Sequence, residues 1–333
     1  MNSVLRLSCC LICVCVCLPR LRADNSVPVF VLLGQSNMQG HGFTMADPKR
    51  NGGKGSLEWL VHSSGAAESY AHLLEKGEWR QRSDVWVSYL EREGPLSVGF
   101  GARPDRIGPE LGFGTVLGDH FDEPVVLIKC AWGGKSLAVD FRPPSAGDLP
   151  YSLGGKKDVA LEKDPLLVGR YFRESLDQIE RVMKALRRDG LDLPGLDAAS
   201  SQRDFEIAGV GWHQGWNDRI HDQHNAHYAG NMVHFIHDMS DALQKPSLPF
   251  VIAESGMTGP EEKHPRALAL MKSQASIAKR EEFEGSVAFV PTQSFWRARE
   301  ESPTGQGYHW NSNAETYYLI GEAMGKAMLG LTR

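Results

Sequence analysis

Short apolar segments alternate with longer amphipathic ones along this chain. The apolar segments of strand length are Val29–Leu33, Asp84–Leu90, Val125–Cys130, Phe205–Trp212, Leu248–Ala253 and Ser286–Val290. Several are apolar without alternation, which is typical of strands buried on both faces. Apolar residues recur at helical spacing in Pro109–Phe121, Tyr171–Leu186, about His224 to Leu243, and Asn313–Leu329. Strands that alternate with helices predict an α/β fold with a mainly parallel sheet, a three-layer α/β/α sandwich.

The first 23 residues are predicted to be a signal peptide. Arg6 precedes an apolar run, Leu7 to Leu18, that is too short to span a bilayer, and Ala23 is a small residue before the expected cleavage point. An uncleaved N-terminal anchor is the alternative. No later segment is long and apolar enough to span a membrane. We therefore expect a secreted or periplasmic protein with no membrane span after signal removal.

Residues 24–333 are expected to form a single domain, because α/β enzymes of this length often fold as one unit. Residues 45–106 exceed what one crossover needs and are predicted to be an insertion near the mouth of the site. Five of the six cysteines lie in the predicted signal peptide, so the mature chain has no partner for Cys130. That residue ends an apolar strand and is expected to be a buried small hydrophobe.

A candidate nucleophile follows the first predicted strand. The segment Gly34-Gln35-Ser36-Asn37-Met38 puts Ser36 at the edge where parallel sheets bind ligands. Gly34 leaves room for a sharp turn, and Gln35 is expected to support the serine. A serine that only caps a helix would fit the same segment. Because position 38 is Met, the segment is not the G-x-S-x-G elbow of α/β-hydrolases.

Two later strands are followed by groups that suit an oxyanion hole. Gly134 lies in a Gly-Gly turn, and its backbone N–H can point at a developing oxyanion, as can that of Ser36. Asn217 or Gln214 can donate a side-chain N–H to the same anion. Asp218 is expected to cap a helix or to accept hydrogen bonds that support this loop. Taken alone, the Gly-Gly pair is equally typical of an ordinary turn.

The candidate general base is His309. It lies in a late loop between Tyr308 and Trp310, shortly before the last predicted helix. A nucleophilic serine needs such a base, and histidine titrates near neutral pH. A single histidine is more often structural, so the assignment depends on the other three segments.

Together these four segments resemble the SGNH (GDSL-like) hydrolase superfamily, and more closely its sialate O-acetylesterase and carbohydrate esterase family 6 branch. Gly34–Met38 resembles the nucleophile block of that branch, and Gly134 resembles its oxyanion glycine. His213–Asp218 resembles the third block, and His309 stands where the catalytic histidine belongs. The resemblance extends in order over residues 29–329. It implies a flavodoxin-like α/β/α fold and deacetylation of carbohydrate esters.

The chain departs from this branch at one position. The last block usually has an aspartate three residues before the histidine, and here that position is Gln306. Either a backbone carbonyl orients His309, giving a Ser–His dyad, or a distant carboxylate takes the role. Glu110, Glu254 and Glu315 are the candidates for a remote acid. We favour the dyad, because the acid mainly fixes the tautomer and stabilises the imidazolium, and a backbone carbonyl can partly fill both roles.

The expected partner is an acetylated carbohydrate, and the two-step hydrolysis needs no cofactor or metal. Sialic acid, xylan, pectin and sulfated algal glycans all stay open as its source. A net charge of −5 gives no reason to expect nucleic acid. The histidines from His221 to His237 favour a solvated helix face over a zinc site, because no H-E-x-x-H or C-x-x-C motif of the mature chain accompanies them.

Two alternative functions remain from the sequence. One is a lipase or thioesterase of the same superfamily, which would have a wide apolar cleft. The other is a catalytically inactive carbohydrate-binding protein, which the missing aspartate makes conceivable. Tryptophans that suit sugar faces favour the carbohydrate esterase; they are Trp59, Trp79, Trp132, Trp212, Trp216, Trp296 and Trp310.

Overall fold

The computed structural model describes residues 26–189 and 204–332, so the predicted signal peptide and its cysteines lie outside the described residues. The strands are β1 (Val27–Gly34), β2 (Gly42–Phe43), β3 (Leu74–Glu75), β4 (Glu78–Trp79), β5 (Arg82–Tyr89), β6 (Arg92–Leu96), β7 (Arg106–Ile107), β8 (Val125–Ala131), β9 (Phe205–His213), β10 (Phe250–Ala253) and β11 (Val287–Val290). The α-helices are α1 (Ser36–Gln39), α2 (Leu57–Ser63), α3 (Ala67–Tyr70), α4 (Pro109–His120), α5 (Lys156–Lys163), α6 (Arg170–Asp189), α7 (Trp216–Arg219), α8 (Asp222–Ala242), α9 (Pro265–Ile277) and α10 (Ala314–Leu331).

The main sheet of the described residues has the strand order β11-β10-β9-β1-β8-β5-β6. Its neighbours are parallel, except that β5 and β6 form an antiparallel hairpin. Without that hairpin, the parallel strands lie in the order β8-β1-β9-β10-β11, which is 2-1-3-4-5 when they are numbered along the chain. This is the flavodoxin-like order, whose switch point lies between β1 and β9. The predicted α/β class with a mainly parallel, flavodoxin-like sheet is confirmed.

The sheet separates two apolar cores, and β1 contributes to both. Phe30 and Leu32 pack on one face with α4 and α10. Val29, Val31 and Leu33 pack on the opposite face with α6, α8 and α9. Every residue of β1 is buried, as its uninterrupted apolar sequence predicts. The three-layer arrangement therefore follows from strands that need cover on both sides.

The four predicted helices correspond to α4, α6, α8 and α10, with ends that differ by at most three residues. Sequence patterns missed α9 and the edge strand β6. The latter contains Gly94 and Pro95, which argue against a central strand but are tolerated at a sheet edge. The predicted insertion, residues 45–106, contributes β5 and β6 to the sheet beside β8.

Cys130 lies on β8 and is fully buried, as predicted. Burial raises the pKa of its thiol, so the thiol stays protonated and behaves as a small hydrophobe. Across residues 26–189 and 204–332, no helix has the length and apolar character that a membrane crossing requires.

Candidate active site

Three loops leave the sheet side by side at its carboxyl edge. Gly34, the last residue of β1, pairs with Ala131 at the end of β8 and with His213 at the end of β9. A Cβ added at Gly34 would lie 2.3 Å from the His213 carbonyl oxygen, so only glycine permits this approach. The loop that carries Ser36 is consequently flanked by the loops that follow β8 and β9.

Gln35 joins the serine loop to the loop after β9. Its Oε1 accepts hydrogen bonds from Gln214 Nε2, Gly215 N and Asn217 N, each at 3.2 Å. Its Nε2 lies 3.5 Å from Ser36 Oγ and from Asn217 Oδ1. The Gln35 side chain is buried, so these bonds form away from competing water. It therefore positions the serine against Asn217.

The turn after β8 passes close to the serine. A Cβ added at Gly133 would be 3.9 Å from Ser36 Cβ. Gly134 has φ +72°, a left-handed conformation that favours glycine. Its carbonyl accepts a hydrogen bond of 2.5 Å from Asn217 Nδ2, and its own N–H has no partner among the described residues. The Gly134 N–H and the second Asn217 Nδ2 hydrogen are thus available to an anion beside Ser36.

Gln214 and Asp218 join the loop after β9 to the loop after β8. Gln214 Nε2 donates to Asp218 Oδ2 at 2.5 Å and to the Lys135 carbonyl at 3.0 Å. Asp218 also accepts the backbone N–H groups of Leu137 and Ala138 at 2.8 and 2.9 Å. Because the Gln214 amide hydrogens are committed to these acceptors, the geometry favours Asn217 over Gln214 as an oxyanion donor.

Asp218 is fully buried and supports the loop after β8. It does not cap a helix: Gly215 is the N-cap of α7, and His221 is the N-cap of α8. Burial raises the pKa of Asp218 to about 7, while its hydrogen bonds act in the opposite direction. The prediction that Asp218 caps a helix is therefore wrong. The alternative, that it accepts hydrogen bonds that support the neighbouring loop, is correct.

The loop that carries His309 docks beside the serine loop. Asn37 Nδ2 donates to the Tyr308 carbonyl at 3.1 Å. The Tyr317 hydroxyl lies 3.0 Å from Asn37 Oδ1 and 3.2 Å from the His309 carbonyl. Within the described residues, however, no hydrogen bond joins the His309 ring to Ser36 Oγ. The structure brings the two loops together without closing that bond.

The His309 ring stacks on His41, a residue that sequence reasoning missed. The ring centroids are 3.8 Å apart and the planes differ by 7°. Burial lowers the pKa of His309 to about 4. Burial, together with His309 and the cations Arg106, Arg103 and Lys129, lowers the pKa of His41 to about 3. Both rings are neutral at pH 7, and a neutral imidazole is the form that can accept a proton.

No carboxylate hydrogen-bonds the His309 ring within the described part of the chain. The Gln306 carbonyl accepts the His309 backbone N–H at 2.8 Å, but the Gln306 side chain makes no hydrogen bond there. Glu110 pairs with a buried lysine at 2.6 Å, Glu254 accepts two backbone N–H groups, and Glu315 pairs with an arginine at 2.6 Å. None of the three remote acids is placed to orient the base.

The backbone after His309 is strained. Trp310, Asn311 and Ser312 have φ of +52°, +53° and +57°, which is unusual for consecutive residues other than glycine. Trp310 is fully buried, and Asn311 Nδ2 donates to the Arg297 carbonyl at 3.0 Å. Buried contacts hold the strained loop in one conformation.

Aromatic side chains flank the site, but fewer than expected. Trp216 and the exposed Tyr308 lie with ring centroids 5.6 Å apart beside the His309 loop. Trp212 and Trp310 are fully buried in the two cores, so the prediction that they bind a sugar face is wrong for both.

Two cavities adjoin these residues. One, of about 450 Å³, is lined by Gly134 and Asn217 and extends to His221 and His224. The other, of about 320 Å³, is lined by His41, Phe43, Arg50, Arg103, Arg106, Thr304, Gln306 and Ser312. We call the second one the arginine cavity. The described residues contain no group of three or more His, Cys, Asp or Glu side chains that could hold a metal ion.

A flavodoxin-like sheet with a serine at its switch point and a glycine, an asparagine and a late histidine around it defines a hydrolase of the SGNH type. The sequence matches the family described as carbohydrate esterase, sialic acid-specific acetylesterase, over residues 26–158 and 193–329. The chain therefore belongs to that family. The predicted enzyme class, a carboxylic ester hydrolase that acts on acetylated carbohydrates, is confirmed.

Two solved structures agree with the fold, the Arabidopsis thaliana protein and NanS. A protein from Arabidopsis thaliana is 16% identical with a TM-score of 0.53, covering 91% of this chain and 98% of its own. NanS is 14% identical with a TM-score of 0.51, covering 92% and 98%. A carbohydrate acetylesterase from Xanthomonas citri is 12% identical with a TM-score of 0.47, covering 90% and 55%. No curated protein matched the sequence.

Proposed function

We propose that this protein is a secreted serine esterase that removes O-acetyl groups from carbohydrates, with Ser36 as nucleophile and His309 as general base. The observation that carries the proposal is the convergence of four loops on Ser36. They bring the serine, the free N–H of Gly134, the Asn217 amide and a neutral histidine to one edge of the sheet. Acyl transfer by a serine needs these groups.

In the first step, His309 takes the hydroxyl proton of Ser36 while Oγ attacks the acetyl carbonyl. The backbone N–H groups of Ser36 and Gly134 and the side chain of Asn217 hold the oxyanion of the tetrahedral intermediate. Each such donor typically lowers the barrier by about 3 kcal/mol. The C–O bond to the sugar then breaks, and the imidazolium gives its proton to the departing sugar oxygen.

In the second step, His309 accepts a proton from water as the water attacks the acetyl-serine. Acetate leaves, and Ser36 recovers its proton. The proposal requires the His309 ring and Ser36 Oγ to approach to about 3 Å in the substrate complex, since such bonds are often long in the free enzyme.

The test combines acetate release with active-site labelling. Ser36→Ala should lower kcat by roughly a thousandfold or more, because only binding and oxyanion stabilisation remain. A fluorophosphonate probe should label the wild-type protein on the peptide that contains Ser36. Ser276→Ala, an exposed serine on α9, is the matched control and should behave as wild type. An active Ser36→Ala variant contradicts the mechanism, and an unlabelled wild type favours the inactive binding protein.

Secretion is tested separately. Expression of the full chain with residues 1–23 should release a mature protein whose first residue is Asp24, as read by N-terminal sequencing. A full-length product that stays in the membrane fraction would favour the uncleaved anchor.

A further inference from the structure

The cavity beside Gly134 and Asn217 is much larger than an acetyl group needs. Both residues belong to its wall, and its volume is about 450 Å³. A methyl group is close in size to a water molecule, whose share of the liquid is about 30 Å³. The methyl group of an acetyl ester would therefore fill only a small part of this cavity.

The cavity adjoins the oxyanion donors and not the general base. It shares no wall residue with the arginine cavity, which contains His41 and through it contacts His309. In the proposed function, on which this step rests, the carbonyl oxygen of the ester faces Gly134 and Asn217, while the departing oxygen faces His309. The acyl chain takes the direction that is left at the reacting carbon. A cavity that begins at the oxyanion donors suits that chain.

Aliphatic side chains form a large part of the cavity wall. They are Val139, Leu153, Ala160, Leu161, Leu167 and Ile220. No tryptophan is among the described residues of this wall, and Tyr171 is its one phenolic or benzyl ring. Apolar walls with a few polar groups are the usual lining of a small-molecule site.

The polar groups of the wall leave little charge that a ligand has to match. Lys135 and Arg170 each pair with a carboxylate, at 3.7 and 2.6 Å, and Lys157 is exposed to water. Burial lowers the pKa of His224 to about 4, so this ring is neutral at pH 7. A neutral apolar chain can therefore enter without leaving a buried charge unpaired.

Large apolar side chains are exposed to water around this cavity. Val159, Leu166 and Ile220 are 47%, 69% and 53% exposed. Ile220 is part of the wall, and the other two directly precede the wall residues Ala160 and Leu167. Exposed apolar side chains that concentrate beside a cavity are typical of a ligand-binding groove.

Much of this apolar wall lies outside the part of the chain that matches the acetylesterase family. The match covers residues 26–158 and 193–329, so residues 159–192 fall between its two parts. Ala160, Leu161, Leu167 and Tyr171 belong to that segment, in α5, the turn after it and the start of α6. The cavity is thus built in part from residues that the family pattern does not include.

We propose that this cavity is an acyl subsite and that the protein also hydrolyses esters of aliphatic acids longer than acetic acid, such as butanoic and hexanoic acid. The chemistry is unchanged. Ser36 Oγ bonds to the acyl carbon as the bond from that carbon to the alcohol oxygen breaks, and water then cleaves the acyl-serine to the free acid. The chain beyond the carbonyl lies against Leu161, Leu167 and Ile220 instead of in water.

The experiment uses the 4-nitrophenyl esters of acetic, butanoic and hexanoic acid. Their departing group is the same, so differences in kcat/KM arise on the acyl side. Ala160→Trp fills the cavity from an exposed position on α5, and Leu161→Asn makes its wall polar. Ala242→Trp is the matched control, because Ala242 is an exposed helical alanine, at the end of α8, and is not part of the wall.

The measured quantity is the ratio of kcat/KM for the hexanoate ester to kcat/KM for the acetate ester. Each fully buried methylene is worth about fourfold, so the wild-type ratio should be roughly tenfold or more even with partial burial. Ala160→Trp and Leu161→Asn should each lower the ratio at least about threefold, the effect of less than one methylene, and keep the acetate value near that of the wild type. Ala242→Trp should not change it. A wild type that prefers the acetate ester, or a ratio unchanged in both wall variants, overturns the proposal.

A binding measurement separates this proposal from the esterase mechanism. Ligand-observed NMR with Ser36→Ala, acetamide and hexanamide needs no turnover. Tighter binding of hexanamide that is weakened in the Ser36→Ala, Leu161→Asn double variant supports the subsite even if no ester is hydrolysed, an outcome that would count against the proposed function alone. Equal binding of the two amides overturns the subsite, whatever the activity of the wild type.

Discussion

His41→Ala tests whether a stacked ring maintains His309 as a neutral base. The substitution removes a ring that covers one face of the imidazole at 3.8 Å. Two effects should follow. Water reaches His309, so its pKa should rise from about 4 towards the ordinary value of 6.5. The ring also loses a packing partner that limits its rotation.

These two effects have different magnitudes and different pH dependence. An aromatic pair contributes about 0.5–1.5 kcal/mol, so the loss of packing should lower kcat/KM about two- to tenfold at every pH. The base works only when neutral, so a higher pKa lowers activity on the acid side. At pH 5 a base of pKa 4 is about 90% neutral, while one of pKa 6.5 is about 3% neutral. Full relief of burial would therefore add about a thirtyfold loss at pH 5 and almost none at pH 8.

The assay is kcat/KM for acetate release between pH 3.5 and 9, with the melting temperature as a check on folding. The wild type should lose activity as the pH falls through about 4, and His41→Ala should lose it at higher pH. His41→Phe keeps a flat apolar ring and should keep the acid limb near that of the wild type. An acid limb that does not move in His41→Ala refutes the reasoning, because the stack would then not determine the pKa of the base.

Three further predictions concern single residues around the site. Gly134→Ala and its control Gly285→Ala both add a Cβ at left-handed φ without a clash, so each should lose about 1 kcal/mol of stability in urea unfolding. Only Gly134→Ala should also lose kcat, because its Cβ would lie 3.9 Å from Asn217 Nδ2 whereas nothing lies within 4 Å at Gly285. Glu110→Gln removes the carboxylate that pairs with a buried lysine and should lower stability by about 3–5 kcal/mol, while the folded fraction keeps its kcat. A folded variant with kcat as low as that of a His309 variant would instead identify Glu110 as the remote acid. Gln306→Asp should raise the pKa of His309 and hold or increase kcat at pH 8, and a pH profile identical to that of the wild type would contradict this.

The convergence of the loops could be predicted from the sequence because it depends on local signals. Apolar runs identify buried parallel strands, and the carboxyl ends of parallel strands share one sheet edge. Residues that follow two such strands directly, such as Ser36 and Gly134, are therefore expected near each other. The structure confirms this expectation, because Gly34 at the end of β1 pairs with both Ala131 at the end of β8 and His213 at the end of β9.

The residues that sequence reasoning missed depend on contacts between distant segments. His41 follows Ser36 by five positions, but nothing in that spacing indicates a stack on His309. Arg50 and Arg103 are far apart in sequence and meet only because the segments around β2 and β7 fold back together. Trp212 shows the converse error, since an aromatic residue at a strand end can equally face the core.

In the proposed mechanism His309 acts as a base without a neighbouring carboxylate, and this is a question of orientation more than of charge. In a triad the acid mainly holds the imidazole in one tautomer and position. Here the position is held by other means: the strained turn of Trp310, Asn311 and Ser312, fixed by buried contacts, and the parallel stack on His41. Among the described residues no acid supplies that charge to His309, and burial lowers the pKa of its half-buried ring to about 4. Such a base gives up driving force for proton transfer but stays active in mildly acidic medium, where a histidine of ordinary pKa would already be protonated.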